Sequence, residues 1–109
     1  MAQAFSSDCP VVPGSPLDGI YASMMRSTPS DRILNRSERI DAEAALYAYT
    51  AAPAYATKTE RDRGSIEIGK LADFTVLNVD PTSLPMEEWE SIKVEAAIVN
   101  GTCLYGELF

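Results

Sequence analysis

The spacing of apolar residues changes period once along this chain, near Gly64. Before it, Leu17, Ile20, Tyr21 and Met24 recur at helical spacing and predict one buried helix face over about 16–27. Ser15 and Asp18 have the spacing of a capping box around Pro16. Proline is tolerated at the first helical position because its missing N–H would be unpaired there anyway. Arg26 is expected at the negative end of this helix, ahead of the break at Pro29. The stretch "PSDRILNRSERI", residues 29–40, has scattered apolar positions and reads as a loop with at most one short turn. A second helix is expected after Asp41, whose carboxylate can accept first-turn amides. Its alanine-rich run favours helix. Ala45, Leu46, Tyr49 and Ala52 form its stripe, and Pro53 is expected to end or kink it near 51–52.

After Gly64 the pattern turns extended. Ser65–Ile68 alternates, with Ile66 and Ile68 on one side. "DFTVLNV" is a stronger strand, with Phe74 and Val76 on one face, Thr75 and Leu77 on the other, and cover expected on both. Asp80–Pro81 ends it. Trp89 is expected to anchor a short helical turn in "PMEEWESI". "VEAAIVNGTCLYG" reads as a hairpin, because Asn100 and Gly101 suit the two positive φ angles of a type I′ turn. The pattern predicts a brief N-terminal strand and two helices, then a β region from about 64 to 109.

Composition narrows the possible functions. A chain of 109 residues makes one ordinary domain and is too short for a complete enzyme barrel. Nine basic against sixteen acidic residues give a formal charge of -7, which excludes a nucleic-acid partner, since phosphate binding needs concentrated positive charge. The arginines of "DRILNRSER" are interrupted by Asp31 and Glu38 and read as a solvated loop. No apolar run approaches a membrane span, and residues 1–25 lack both a basic start and an unbroken apolar stretch. There is no histidine, which excludes an imidazole base or ligand from this chain. Cys9 and Cys103 are isolated and fit reduced thiols in a cytoplasmic protein, with one long-range disulfide as the alternative.

Chemistry centres on "AFSSDCPV", residues 4–11. Asp8 is either a turn residue or one arm of a reaction centre, since a carboxylate at a strand end can approach a cation or move a proton. Ser6, Ser7 and Cys9 have no histidine to activate them. The glycines of "GSIEIG" lack phosphate-loop spacing, and Lys70 belongs to a β connection. Asp73 and Asp80 read as turn carboxylates that satisfy backbone donors.

"GSIEIGKLADFTVLNVDP", residues 64–81, resembles the C-terminal signature of the amidohydrolase superfamily, and "AAIVNGTCLY" resembles the hairpin that closes it. "AFSSDCPVVPGSPLDGIYASMMR", with its SDxPV and P-x-x-G-I-Y motifs, is similar to the last barrel segment of the amidohydrolase-3 group, the YtcJ-like metal-dependent hydrolases. "EAALYAYTAAPAYA" matches the helix between them. The resemblance implies an α+β fragment: the last strand and helices of a (β/α)8 barrel in residues 1–58, then the C-terminal part of a composite β-sandwich in 59–109. By the same resemblance Phe5–Asp8 is the tip of the eighth strand. Asp8 is then the catalytic and metal-approaching aspartate, which takes a proton from water and returns it to the leaving nitrogen. The family's GSD has serine in place of the glycine here, at Ser6.

The parent activity so implied is hydrolysis of C–N bonds in small amides, N-substituted formamides among them, with a divalent metal, usually zinc. The other ligands would lie on barrel strands that these residues do not encode, so the isolated chain is expected to hold no metal and to be inactive. Its partners would be the missing N-terminal barrel region or a second copy. The alternative is a non-catalytic structural or association module of the same descent.

Overall fold

The computed structural model describes residues 2–107. Helix α1 runs Pro16–Met25 and buries Ile20 and Met24, with Leu17 and Tyr21 packed beside them, as the spacing predicts. Ser15 makes no side-chain cap; the helix start is exposed, so water can serve the donors that the expected capping box would have held. The cation at the other end is a different arginine from the one expected. Arg39 donates from Nε and a terminal nitrogen to Met25 O at 3.1 and 2.8 Å, while Arg26 turns left-handed (φ 54°) and pairs with Glu38 at 2.7 Å. Residues 26–34 fold back, with Leu34 N–H donating to Arg26 O and Asp31 N–H to Thr28 O, and Arg36–Glu38 adds a second turn where at most one was expected.

Helix α2, Ala42–Tyr49, is capped as predicted, with Asp41 Oδ1 accepting from Ala44 N–H at 2.8 Å. The break after it comes at Thr50, just before the expected 51–52, and Pro53 sits inside the first turn of a new helix α3, Ala51–Ala56. The reason is local: a proline in the first turn removes no intrahelical hydrogen bond. Gly64 (φ 93°) lets the chain press on α3, where an added Cβ would lie 2.5 Å from that of Ala54.

The strand expected at 65–68 does not form. Ile66 and Ile68 are 83% and 108% exposed, in a turn in which Lys70 pairs with Glu67 at 3.1 Å. Alternation alone cannot supply a neighbouring strand, and among the described residues none pairs with this segment. Strands β1 (Phe74–Leu77), β2 (Val94–Val99) and β3 (Thr102–Gly106) make one antiparallel sheet in that order. Val99 pairs with Thr102 around Asn100 (φ 49°) and Gly101 (φ 78°), the predicted two-residue turn. Cover on both faces of β1 is not met, since Phe74 remains 38% exposed. The strand expected at 5–8 is an irregular arm without a ladder among the described residues, held by Phe5 N–H donating to Ala48 O at 2.8 Å.

The core is thin. Among the described residues ten hydrophobic side chains are buried, and five of them are alanines. Ile20, Met24 and Ala45 from the helices cluster with Trp89 and Ile92, so the turn Met86–Ser91 joins helices to sheet. Trp89 is the anchor that the pattern predicts, at 3% exposure. The chain exposes 8075 Å², where a compact monomer of 11.8 kDa exposes about 5,900 Å². The architecture is mixed α+β with a three-stranded antiparallel sheet, and the described residues close no barrel.

Candidate functional site

The arm that carries Asp8 is shaped by its own short side chains. Ser6 Oγ accepts from Asp8 N–H at 3.4 Å, Ser7 Oγ accepts from Cys9 N–H at 3.2 Å, and Asp8 O accepts from Val11 N–H at 2.9 Å. These hydroxyls therefore serve the turn rather than act as nucleophiles. Asp8 has φ 53°, a left-handed conformation that aspartate tolerates better than most residues. Its side chain is exposed and makes no hydrogen bond or ion pair with the other described residues.

Behind the arm, the Phe5 ring meets Tyr49 edge-to-face, centroids 5.5 Å apart and planes at 82°. An open cleft of about 500 Å³ lies between arm and α1, and Phe5, Ser6, Ser23, Arg26 and Tyr49 are among its walls. The Arg26 Nε–H is buried without a partner among the described residues.

The remaining candidate carboxylates are structural. Asp73 Oδ1 accepts from Asn100 N–H at 2.8 Å and its other oxygen lies 3.8 Å from Arg63, which ties the hairpin turn to the start of β1. Asp80 accepts from the N–H and hydroxyl of Thr82 at 2.9 and 2.7 Å, and these bonds hold its carboxyl below the usual range. The hydrogen bond from Ser65, then Lys70, lowers Glu67 in the same way. Cys9 and Cys103 are free and exposed. Among the described residues no three His, Cys, Asp or Glu side chains converge as metal ligands would, and no helix is long and apolar enough to cross a membrane.

Comparison with known proteins decides the descent of this arrangement. The amidohydrolase family profile matches residues 1–105. The chain belongs to the amidohydrolase family. It is 31% identical over 105 residues to the Bacillus subtilis protein named "Putative amidohydrolase YtcJ", covering 94% of this chain and 20% of the relative. It is 32% identical over 102 residues to the N-substituted formamide deformylase of Arthrobacter pascens, 94% of this chain and 19% of that enzyme. It is 36% identical over 103 residues to the Arabidopsis thaliana protein LONG AFTER FAR-RED 3, 94% and 18% respectively. The chain thus spans about a fifth of the length of these relatives. No solved structure matches it significantly.

Two residues of the site escaped the sequence reading. Tyr49 reads there as one member of an apolar stripe, and Gly19 only as a letter of P-x-x-G-I-Y. The available signal was the glycine itself, because glycine inside a helix costs up to about 1 kcal/mol and calls for a packing reason.

Proposed function

We propose that these 109 residues are by themselves a non-catalytic module of amidohydrolase descent that completes a larger assembly, and that within it Asp8 is the carboxylate serving C–N bond hydrolysis. The observation that carries this reading is the unspent surface. The chain exposes 8075 Å², an excess of roughly 2,200 Å² over a compact monomer of its mass. That excess has the size of an obligate interface. It includes Ile66, Ile68, Leu104 and Tyr105, all more than half exposed.

In this reading residues 1–58 adjoin a barrel and 59–109 join a sandwich. The arm at 5–8 becomes a strand once a neighbouring strand supplies its ladder. The partner is a barrel region supplied by further residues, or failing that a second copy. The substrate class is small amides, with N-substituted formamides favoured by the deformylase relative. A cytoplasmic setting suits the two free thiols.

The residues present do not fit a metal ion unaided. Catalytic zinc takes three protein ligands, whereas Asp8 offers one carboxylate and no group of three such ligands forms among the described residues. What this chain can contribute is a solvent-facing carboxylate at the tip of an anchored arm, free to accept a proton from water and to return one to a departing nitrogen.

Sedimentation velocity with amide hydrogen exchange tests the module reading. Association is expected, with protection over residues 5–27 below that of the hairpin. A tight monomer with residues 5–27 strongly protected would contradict it.

A further inference from the structure

The P-x-x-G-I-Y motif puts Gly19 in the middle of α1, where alanine would favour the helix by up to about 1 kcal/mol. The structure shows what occupies the space of the missing side chain. A Cβ on Gly19 would overlap the Tyr49 hydroxyl and lie 2.9 Å from Cζ and 3.2 Å from Cε2. The phenol of Tyr49 therefore lies directly on the backbone of α1, and only glycine admits it.

The same ring meets the Phe5 ring edge-to-face at 5.5 Å. The next residue of α2 toward its start, Ala48, receives the Phe5 N–H on its carbonyl at 2.8 Å. These two contacts hold the arm three residues before Asp8. Beyond them Asp8 is held only by turn contacts of its own loop.

We propose that Gly19, Tyr49 and Phe5 form a latch that sets the position of the Asp8 arm on the helical layer, making Tyr49 and Gly19 positioning residues for that carboxylate. The ring face and edge are the working parts, and the tyrosine hydroxyl is dispensable. The proposal rests on the reading of Asp8 given above, but its observables do not.

The test uses the full 109-residue chain in a Cys103→Ser background, with a nitroxide spin label on Cys9, the residue after Asp8. Cys9 is exposed and accepts the label at the arm itself. Spin-label mobility and exchange of the Phe5 amide are measured together. Tyr49→Phe should leave both unchanged. Tyr49→Ala and Gly19→Ala should each mobilise the label and speed Phe5 exchange at least tenfold, with the amides of Ile98 and Val99 in the hairpin unchanged. Tyr49→Ala with label and Phe5 exchange as in the parent would overturn the latch. So would an equal loss of protection in the arm, the helices and the sheet, which marks general destabilisation. An intact latch on a functionless Asp8 would be recognised separately, as turnover in the completed assembly that Asp8→Asn leaves unchanged.

Discussion

Trp89 is the only tryptophan in the chain and lies at the centre of the cluster that joins helices to sheet. Truncating it to alanine removes a side chain that is 3% exposed, a change that costs about 3–5 kcal/mol in well-packed cores. With half of the buried hydrophobics being alanine, total stability belongs near the low end of the usual range, about 5 kcal/mol. Trp89→Ala should therefore retain at most about 2 kcal/mol, and its urea midpoint should fall to less than half that of the parent.

Trp89→Phe separates packing from polarity at the same site. It deletes about 40 Å³ of side chain, worth about 1 kcal/mol as a cavity. It also removes the indole N–H, which is buried without a partner among the described residues and so costs about 1–3 kcal/mol as it stands. The two effects oppose, and the phenylalanine variant should fall within about 1 kcal/mol of the parent or exceed it. Urea unfolding followed by far-UV circular dichroism reads both variants without the lost fluorophore. A phenylalanine variant weaker by more than about 2 kcal/mol would refute the unpaired N–H, and an alanine variant within about 1 kcal/mol of the parent would refute the shared core.

Other expected outcomes test single elements. Asp41→Ala should cost about 1 kcal/mol by loss of the α2 cap, and Asp41→Asn clearly less, in the same urea assay. Asn100→Gly should leave stability unchanged or raise it, whereas Asn100→Ala should lose about 1 kcal/mol at the left-handed position. Asp80 has a folded-state value below its unfolded one near 3.9, so its contribution is present above that value and lost as pH falls through the folded value. Thr82→Val should weaken the chain at about pH 7 and the difference should fade by about pH 2; a pH-independent difference would contradict the hydrogen-bonded carboxylate. Ile66→Ser with Ile68→Ser should change the stability of the monomer by less than about 0.5 kcal/mol while weakening assembly on a sizing column.

Local signals were legible in the sequence and relational ones were not. The Asn100–Gly101 turn and the Asp41 cap were readable because each depends on residues within three positions. Trp89 was readable as an anchor because a large apolar residue among acidic neighbours has few other places to go. Ile66 and Ile68 misled because alternation describes a side chain's preference and not the presence of a partner strand. Ser15 has the spacing of a cap, but an exposed helix end can be served by water. Arg39 reaches back fourteen residues to Met25, and Tyr49 reaches thirty to Gly19; no spacing rule encodes either distance. At the site, Asp8 was singled out by resemblance. Its anchoring through Phe5 to α2 became visible only with the helices packed.

Hydrolysis of an N-substituted formamide by the purified chain, with and without added zinc, tests the central claim most directly. The account predicts no release of formate above the buffer rate in either condition, and the same result for Asp8→Asn. Zinc-dependent turnover by the parent chain that disappears in Asp8→Asn would contradict it, because these residues would then suffice for a complete catalytic centre.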